Sequence, residues 1–311
     1  MNKIFITSLL AICISMSSCS SDEKTYNQPK QELYSKLNED LAAYNATFWN
    51  ANNIPHTRSF WKKLRGFLLA DAGGALIGSA FGGWGALFGA VFSSAVGGPA
   101  LAEHEMTSQT ATTCPVIPPT SDNTQTVPIS DPYSAEVLSD DNEIAAPTSS
   151  QVAVNCYATV TSSGIGYEHN LILSRIEETH QNIYNEAKSS EVMADLIVTE
   201  MGKCSYAIPE TEKNILIQKV NSIVLKSKTD SATELITLLK NTWPEYSDEL
   251  SVIDDFTINI GNITNNTELM KAYLDGYLQV IERSNLTNSQ KEVLKSSLEV
   301  AANSALFWVT E

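Results

Sequence analysis

The sequence is poor in the residue types that usually give an activity away. It has four histidines and five cysteines in 311 residues, with no CxxC or Cys/His spacing of the kind that holds zinc. It contains no GxSxG elbow, P-loop, HExxH or EF-hand loop, so no motif argues for a nucleophilic hydrolase or for nucleotide or calcium binding. Positive charge is scarce too. Twenty Lys and Arg against 36 Asp and Glu leave a formal charge of −16, which repels phosphate backbones and removes nucleic acid from the expected partners. The sharpest absence is local: from Ala72 to Ala102 no side chain carries a charge.

What stands in that uncharged stretch is a run of small residues. Gly66, Ala70, Gly74, Gly78, Gly82, Ala86, Ala90, Ser94 and Gly98 recur four apart, with a second row at Gly85, Gly89, Ser93 and Gly97. On a helix such rows form a flat groove that another backbone can approach closely. A single helix over the whole run would be about 46 Å long, more than a hydrocarbon core of roughly 30 Å requires. Glycines clustered at Gly82-Gly83-Trp84-Gly85 equally allow two antiparallel helices joined by a turn. Glycine costs an isolated helix roughly 0.8–1 kcal/mol each relative to alanine, so the segment needs close packing to exist. Two environments satisfy it, a protein core or a membrane, and Gly66, Gly74, Gly78, Gly82, Trp84, Gly85 and Gly89 are the residues that either would use. If the run is a membrane helix, Asp71 at its edge must sit at the interface or pair with Arg65.

The N-terminal stretch "MNKIFITSLLAICISMSSC" has a positive Lys3, an apolar run from Ile4 to Ile14 and small residues before Cys19. This resembles the lipobox of bacterial lipoproteins. The resemblance implies removal of residues 1–18, acylation of Cys19 and anchoring in the outer membrane, where several acyl chains hold far more firmly than one. Ser20-Ser21-Asp22-Glu23 is similar to the acidic tag of surface-exposed Bacteroidota lipoproteins and implies a chain facing the cell exterior. Three cysteines then remain, Cys114, Cys156 and Cys204, an odd number for an oxidising compartment; Cys114 and Cys156 flank one segment and are a candidate disulfide.

Composition divides the rest into a tether at 19–30, an amphipathic helix and glycine hairpin at 31–102, a Pro/Ser/Thr-rich disordered linker at 103–160, and a helical domain at 161–311. In the first helix Leu33, Leu37, Leu41, Tyr44 and Phe48 share a face that needs a covering partner, and the hairpin is one. The C-terminal part predicts five or six helices, with starts at Ser189-Ser190-Glu191 and Pro209, and one short strand over "FTINIGNI", Phe256 to Ile263. The fold class expected is all-α, a glycine-zipper hairpin plus a C-terminal bundle.

The tightest polar cluster, "GYEHN", contains His169. With Glu177 and His180 it offers an incomplete metal-ligand set, one Glu-x-x-His where a di-iron bundle needs two, so no metal or other cofactor is expected and His169 and Asn170 read as braces of a helix start. No catalytic residue emerges. The lipobox, "FWKKL" leading into "ADAGGALIGSAFGG", "GYEHN" and the terminal "SALFWV" together resemble uncharacterised Bacteroidota-type surface lipoproteins with a glycine-zipper segment, a group that implies no activity and no site residues. The function expected is a non-catalytic outer-membrane helical interaction module with the hairpin in its core. Its partners would be the bilayer, through acylated Cys19, and an envelope protein. The alternative is a membrane-inserting or bacteriocin-like protein that uses residues 66–98.

Overall fold

The segments with a helical repeat of apolar residues become ten α-helices, and no strand forms among the described residues. The computed structural model describes residues 29–52, 61–97, 159–161, 163–180, 183–185, 189–227, 231–264 and 266–308. Cys19, the expected tether, and the Pro-rich stretch with Cys114 and Cys156 lie outside them. The helices are α1 (Lys30–Asn52), α2 (Trp61–Gly78), α3 (Gly83–Gly97), α4 (Ile165–Thr179), α5 (Ser190–Lys203), α6 (Glu210–Ser227), α7 (Ala232–Thr242), α8 (Ser247–Ile260), α9 (Thr267–Arg283) and α10 (Asn288–Trp308).

Local chemistry sets several of the ends. Ser189 caps α5 by accepting from the Val192 N–H, and Ser231 with Glu234 closes a capping box on α7. Asn266 accepts from Leu269 at the start of α9. The predicted strand is instead the end of α8: Ile253, Phe256 and Ile260 are buried at helical spacing, while Ile258, half exposed, lies on the outer side of the same helix. The apolar-polar alternation was that of a helix read over too few turns.

The uncharged run folds back on itself. α2 ends at Gly78, a 3-10 turn covers Ser79–Phe81, and Gly82 takes φ +85°, a conformation that L side chains rarely adopt, before α3 begins at Gly83. The bend therefore uses only Gly82 of the glycine cluster, and α3 begins at Gly83. α2 and α3 are each the centre of an apolar core. α2 shares one with α1, α7, α8, α9 and α10, through Leu68, Leu76, Leu239, Phe256, Tyr273 and Leu298. α3 shares the other with α4, α5 and α6, through Phe88, Phe92, Ile172, Ile197 and Val220. Leu68, Phe88, Val91 and Phe92 have no exposure at all.

α1 does not cover the hairpin as its periodicity suggested. It packs on α8 and α9, and its buried face is Tyr34, Leu37, Leu41, Asn45 and Trp49, turned slightly from the expected one. Polar groups fix that register. Tyr34 donates to Glu249 at 2.7 Å, Lys30 pairs with the same carboxylate at 2.9 Å, Asn45 donates to Asp255 at 2.8 Å, and the Tyr273 hydroxyl donates back to Asn45 at 2.7 Å. Tyr44, Phe48, Trp49, Tyr273 and Phe256 stack around this set with ring centroids 5.0–5.7 Å apart.

Candidate functional site

Along the α2–α3 contact the pairs descend from the tip toward the open end. A Cβ on Gly78 would collide with the Gly85 carbonyl and one on Gly85 with the Gly78 carbonyl; Gly74 and Gly89 exclude each other's Cβ in the same way. The two backbones therefore meet directly, with the Ser93 hydroxyl packed beside Gly74 and Phe81 beside Gly85. The expected single ladder is split by the turn at Gly82. α2 contributes Gly74 and Gly78 from the first row, whereas α3 contributes Gly85 and Gly89 from the second. Gly66 faces Ala232 at ordinary contact distance instead, and Gly82 has nothing around it. Trp84 is half-buried at the tip, 6.0 Å from the Phe81 ring, which Lys219 covers at 5.5 Å.

One turn below the glycines lies the densest polar cluster of the interior. Asp71 on α2, Ser93 and Ser94 on α3, His169 on α4 and Ser304 on α10 are completely buried, with Asn170 at 1% exposure. Ser94 and Ser304 both hydrogen-bond to Asp71 Oδ2, Ser304 at 2.5 Å. His169 Nε2 is 3.0 Å from Ser94 Oγ, and its Nδ1 is 2.8 Å from Asn170 Oδ1. Asn170 in turn donates to the Asn303 carbonyl at 2.9 Å, and Trp308 Nε1 donates to Ser94 at 3.3 Å. Asp71 Oδ1 and Ser93 Oγ have no hydrogen-bond partner among the described residues. Arg65 is not the partner of Asp71; it pairs with Asp254 at 2.5 Å.

Burial dominates the electrostatics. It raises the Asp71 carboxyl well above the ordinary carboxylate range, against the two serine hydrogen bonds, and it lowers the His169 imidazole to about 4, against Asn170. A serine, a histidine and an aspartate thus meet, yet they do not build a nucleophile. In a catalytic triad the acid holds the imidazole and the serine is free on the far side. Here Asn170 holds the imidazole, Ser94 stands between His169 and Asp71, and its oxygen is enclosed by Trp308. No motif or spacing joined these residues in advance, although the lone carboxylate in an uncharged run was a usable signal. His180 sits at the exposed end of α4, away from His169, and no group of three His, Cys, Asp or Glu among the described residues has metal-ligand geometry.

A second candidate is a cleft of about 360 Å³ lined by Thr159, Val160, Thr161, Ser163, Lys271 and Glu299. Glu299 lies against the first turn of α4, and burial pushes its carboxyl up to about 7. The cleft adjoins the buried cluster through Asn303, whose side chain donates to Thr161 at 3.1 Å and accepts from the Val160 N–H at 2.9 Å. Cys204, a free thiol, accepts from Arg175 at 3.2 Å.

No family model matches the chain, and no curated protein and no solved structure matches it either. The class the fold defines is an all-α protein whose apolar helical hairpin is enclosed by amphipathic helices.

Proposed function

We propose that the chain is a non-catalytic, lipid-anchored envelope module, held at the outer membrane through Cys19 and working through its acidic helical exterior on another envelope protein. One observation carries the reading: the glycine-rich hairpin, the segment best suited to lipid, is the interior of the protein. Leu64–Phe81 is the one described helical stretch long and apolar enough to cross a membrane, and 78% of it is already buried against other helices. A chain with an anchor of its own has no need of this hairpin as a second one, and the hairpin supplies a core for the surrounding helices.

The test uses the full chain with Cys19→Ser, so that no acyl chain attracts it to lipid. Mixed with zwitterionic vesicles at neutral pH, it should stay out of the floating lipid fraction and release no entrapped dye. Flotation with dye release would favour the second reading, a membrane-inserting hairpin. That reading has its own support in the absence of charge from Ala72 to Gly97 and in the aromatic tip of Phe81 and Trp84 beside exposed Gly82 and Gly83.

A further inference from the structure

The proton inventory of the buried cluster can be read from its donors and acceptors. Asn170 uses its Nδ2 on the Asn303 carbonyl, which leaves Oδ1 facing His169 Nδ1, so Nδ1 carries a hydrogen. A neutral imidazole then accepts at Nε2, and the hydroxyl there among the described residues is that of Ser94. With its hydrogen given to His169, Ser94 meets Asp71 Oδ2 as an acceptor, and that contact needs a proton on the carboxyl. The remaining contacts of the line then fit: Ser94 accepts from Asp71 and Trp308, and Oδ2 accepts from Ser304. The unpartnered Oδ1 becomes a carbonyl oxygen of a neutral acid, far less costly to bury than half a carboxylate.

We propose that one proton, held by Asp71 and passed in hydrogen-bond sense through Ser94 to a neutral His169, is the latch that seats the α2–α3 hairpin against α4 and α10, and that its loss at alkaline pH unseats the hairpin. The cluster draws on all four of these helices, and His169 Nε2 lies 4.0 Å from Asp71. Several other charged groups on the surrounding helices are engaged elsewhere. Arg65 and Asp254 take each other, Tyr206 takes Glu168, Lys203 takes Glu200 on α5, Glu299 is bound at the first turn of α4, Lys219 lies over Phe81, and Glu234 closes the cap of α7.

Linkage gives the latch a signature. Asp71, raised above 3.8, contributes stability that is complete below that value and lost as pH rises through its folded value. His169, lowered from 6.5 to about 4, contributes stability that is complete above 6.5 and lost as pH falls toward 4. As long as folded Asp71 keeps its proton, the two slopes cancel between about 4 and 6.5, because the folded and unfolded chains then hold one proton each. Above 6.5 the unfolded histidine gives up its proton while the folded cluster keeps its own. The pair then lowers the folded-to-unfolded ratio about tenfold per pH unit.

The experiment combines urea unfolding from pH 4 to 9 with imidazole ¹⁵N spectra of the Cys19→Ser chain. Relative to this chain, Asp71→Asn should gain stability about tenfold per pH unit from pH 4 until the folded Asp71 carboxyl itself ionises. His169→Gln should lose it at the same rate between 4 and 6.5. At pH 7 the spectra should show His169 neutral, protonated at Nδ1 alone, a readout that needs no variant to fold. A cationic His169 at pH 7, or an Asp71→Asn profile parallel to that of the parent, would overturn the proposal.

Discussion

Near its tip the α2–α3 pair is joined by Gly74, Gly78, Gly85 and Gly89, whose backbones touch directly, whereas one turn further down the same helices meet through Asp71 and Ser94, side chains sealed from solvent and joined by hydrogen bonds. The first contact has no group that titrates and no room for a methyl. The second depends on hydrogen-bond inventory and on protonation. Two adjacent turns of one hairpin thus respond to different perturbations, volume in one and polarity in the other. The glycine contact lets the helices approach closely, and the polar cluster ties that close pair to α4 and α10, which glycine packing alone does not reach.

The largest effect should come from volume at the tip. Gly78→Ala drives a Cβ into the Gly85 carbonyl, backbone against backbone, and should cost about 3 kcal/mol or more in chemical denaturation, at the upper end of overpacking. Polarity without volume is the converse test lower down. Ser304→Ala removes one hydrogen bond from buried Asp71 at little change in size and should cost about 1–3 kcal/mol, measured the same way. A smaller loss should follow outside the hairpin: Tyr34→Phe breaks the buried bond to Glu249 and should cost about 1–2 kcal/mol, read as increased amide exchange in α1 ahead of the other helices. The smallest effect should be at the turn itself, where a Cβ on Gly83 meets nothing within 4 Å; Gly83→Ala should be neutral or stabilise by about 0.5 kcal/mol in thermal melts. If Gly78→Ala and Gly83→Ala behaved alike, the distinction between seam and turn would fail.

Much of this architecture was legible in the sequence, but in pieces. Apolar periodicity and the helix starts at Ser189 and Pro209 located helices, and the four-residue spacing of small residues announced close packing. The phase of that spacing across the bend was not legible, because a turn at Gly82 resets which row faces which, and row membership alone does not say where the helix breaks. The partner of α1 was also missed: Tyr273 and Asp255 make its polar register, and both lie more than two hundred residues away in the chain. The buried cluster was least accessible. Ser94 and His169 are 75 residues apart and Asp71 and Ser304 are 233 apart, so only the packing of four helices brings them together. The sequence did hold one clue, a carboxylate bordering an otherwise uncharged run, and an ion pair with Arg65 was the obvious solution for it. The structure solves it with hydroxyls and leaves Arg65 to Asp254.

The account rests on the hairpin being the innermost part of a folded chain, and native-state hydrogen exchange tests that most directly. The amides of Ala86 to Val96 in α3 should be the last in the molecule to exchange, with a protection free energy equal to that of global unfolding. If those amides exchanged while α8 and α9 remained protected, the hairpin would open independently of its surrounding helices, and the role assigned to it as their common core would be wrong.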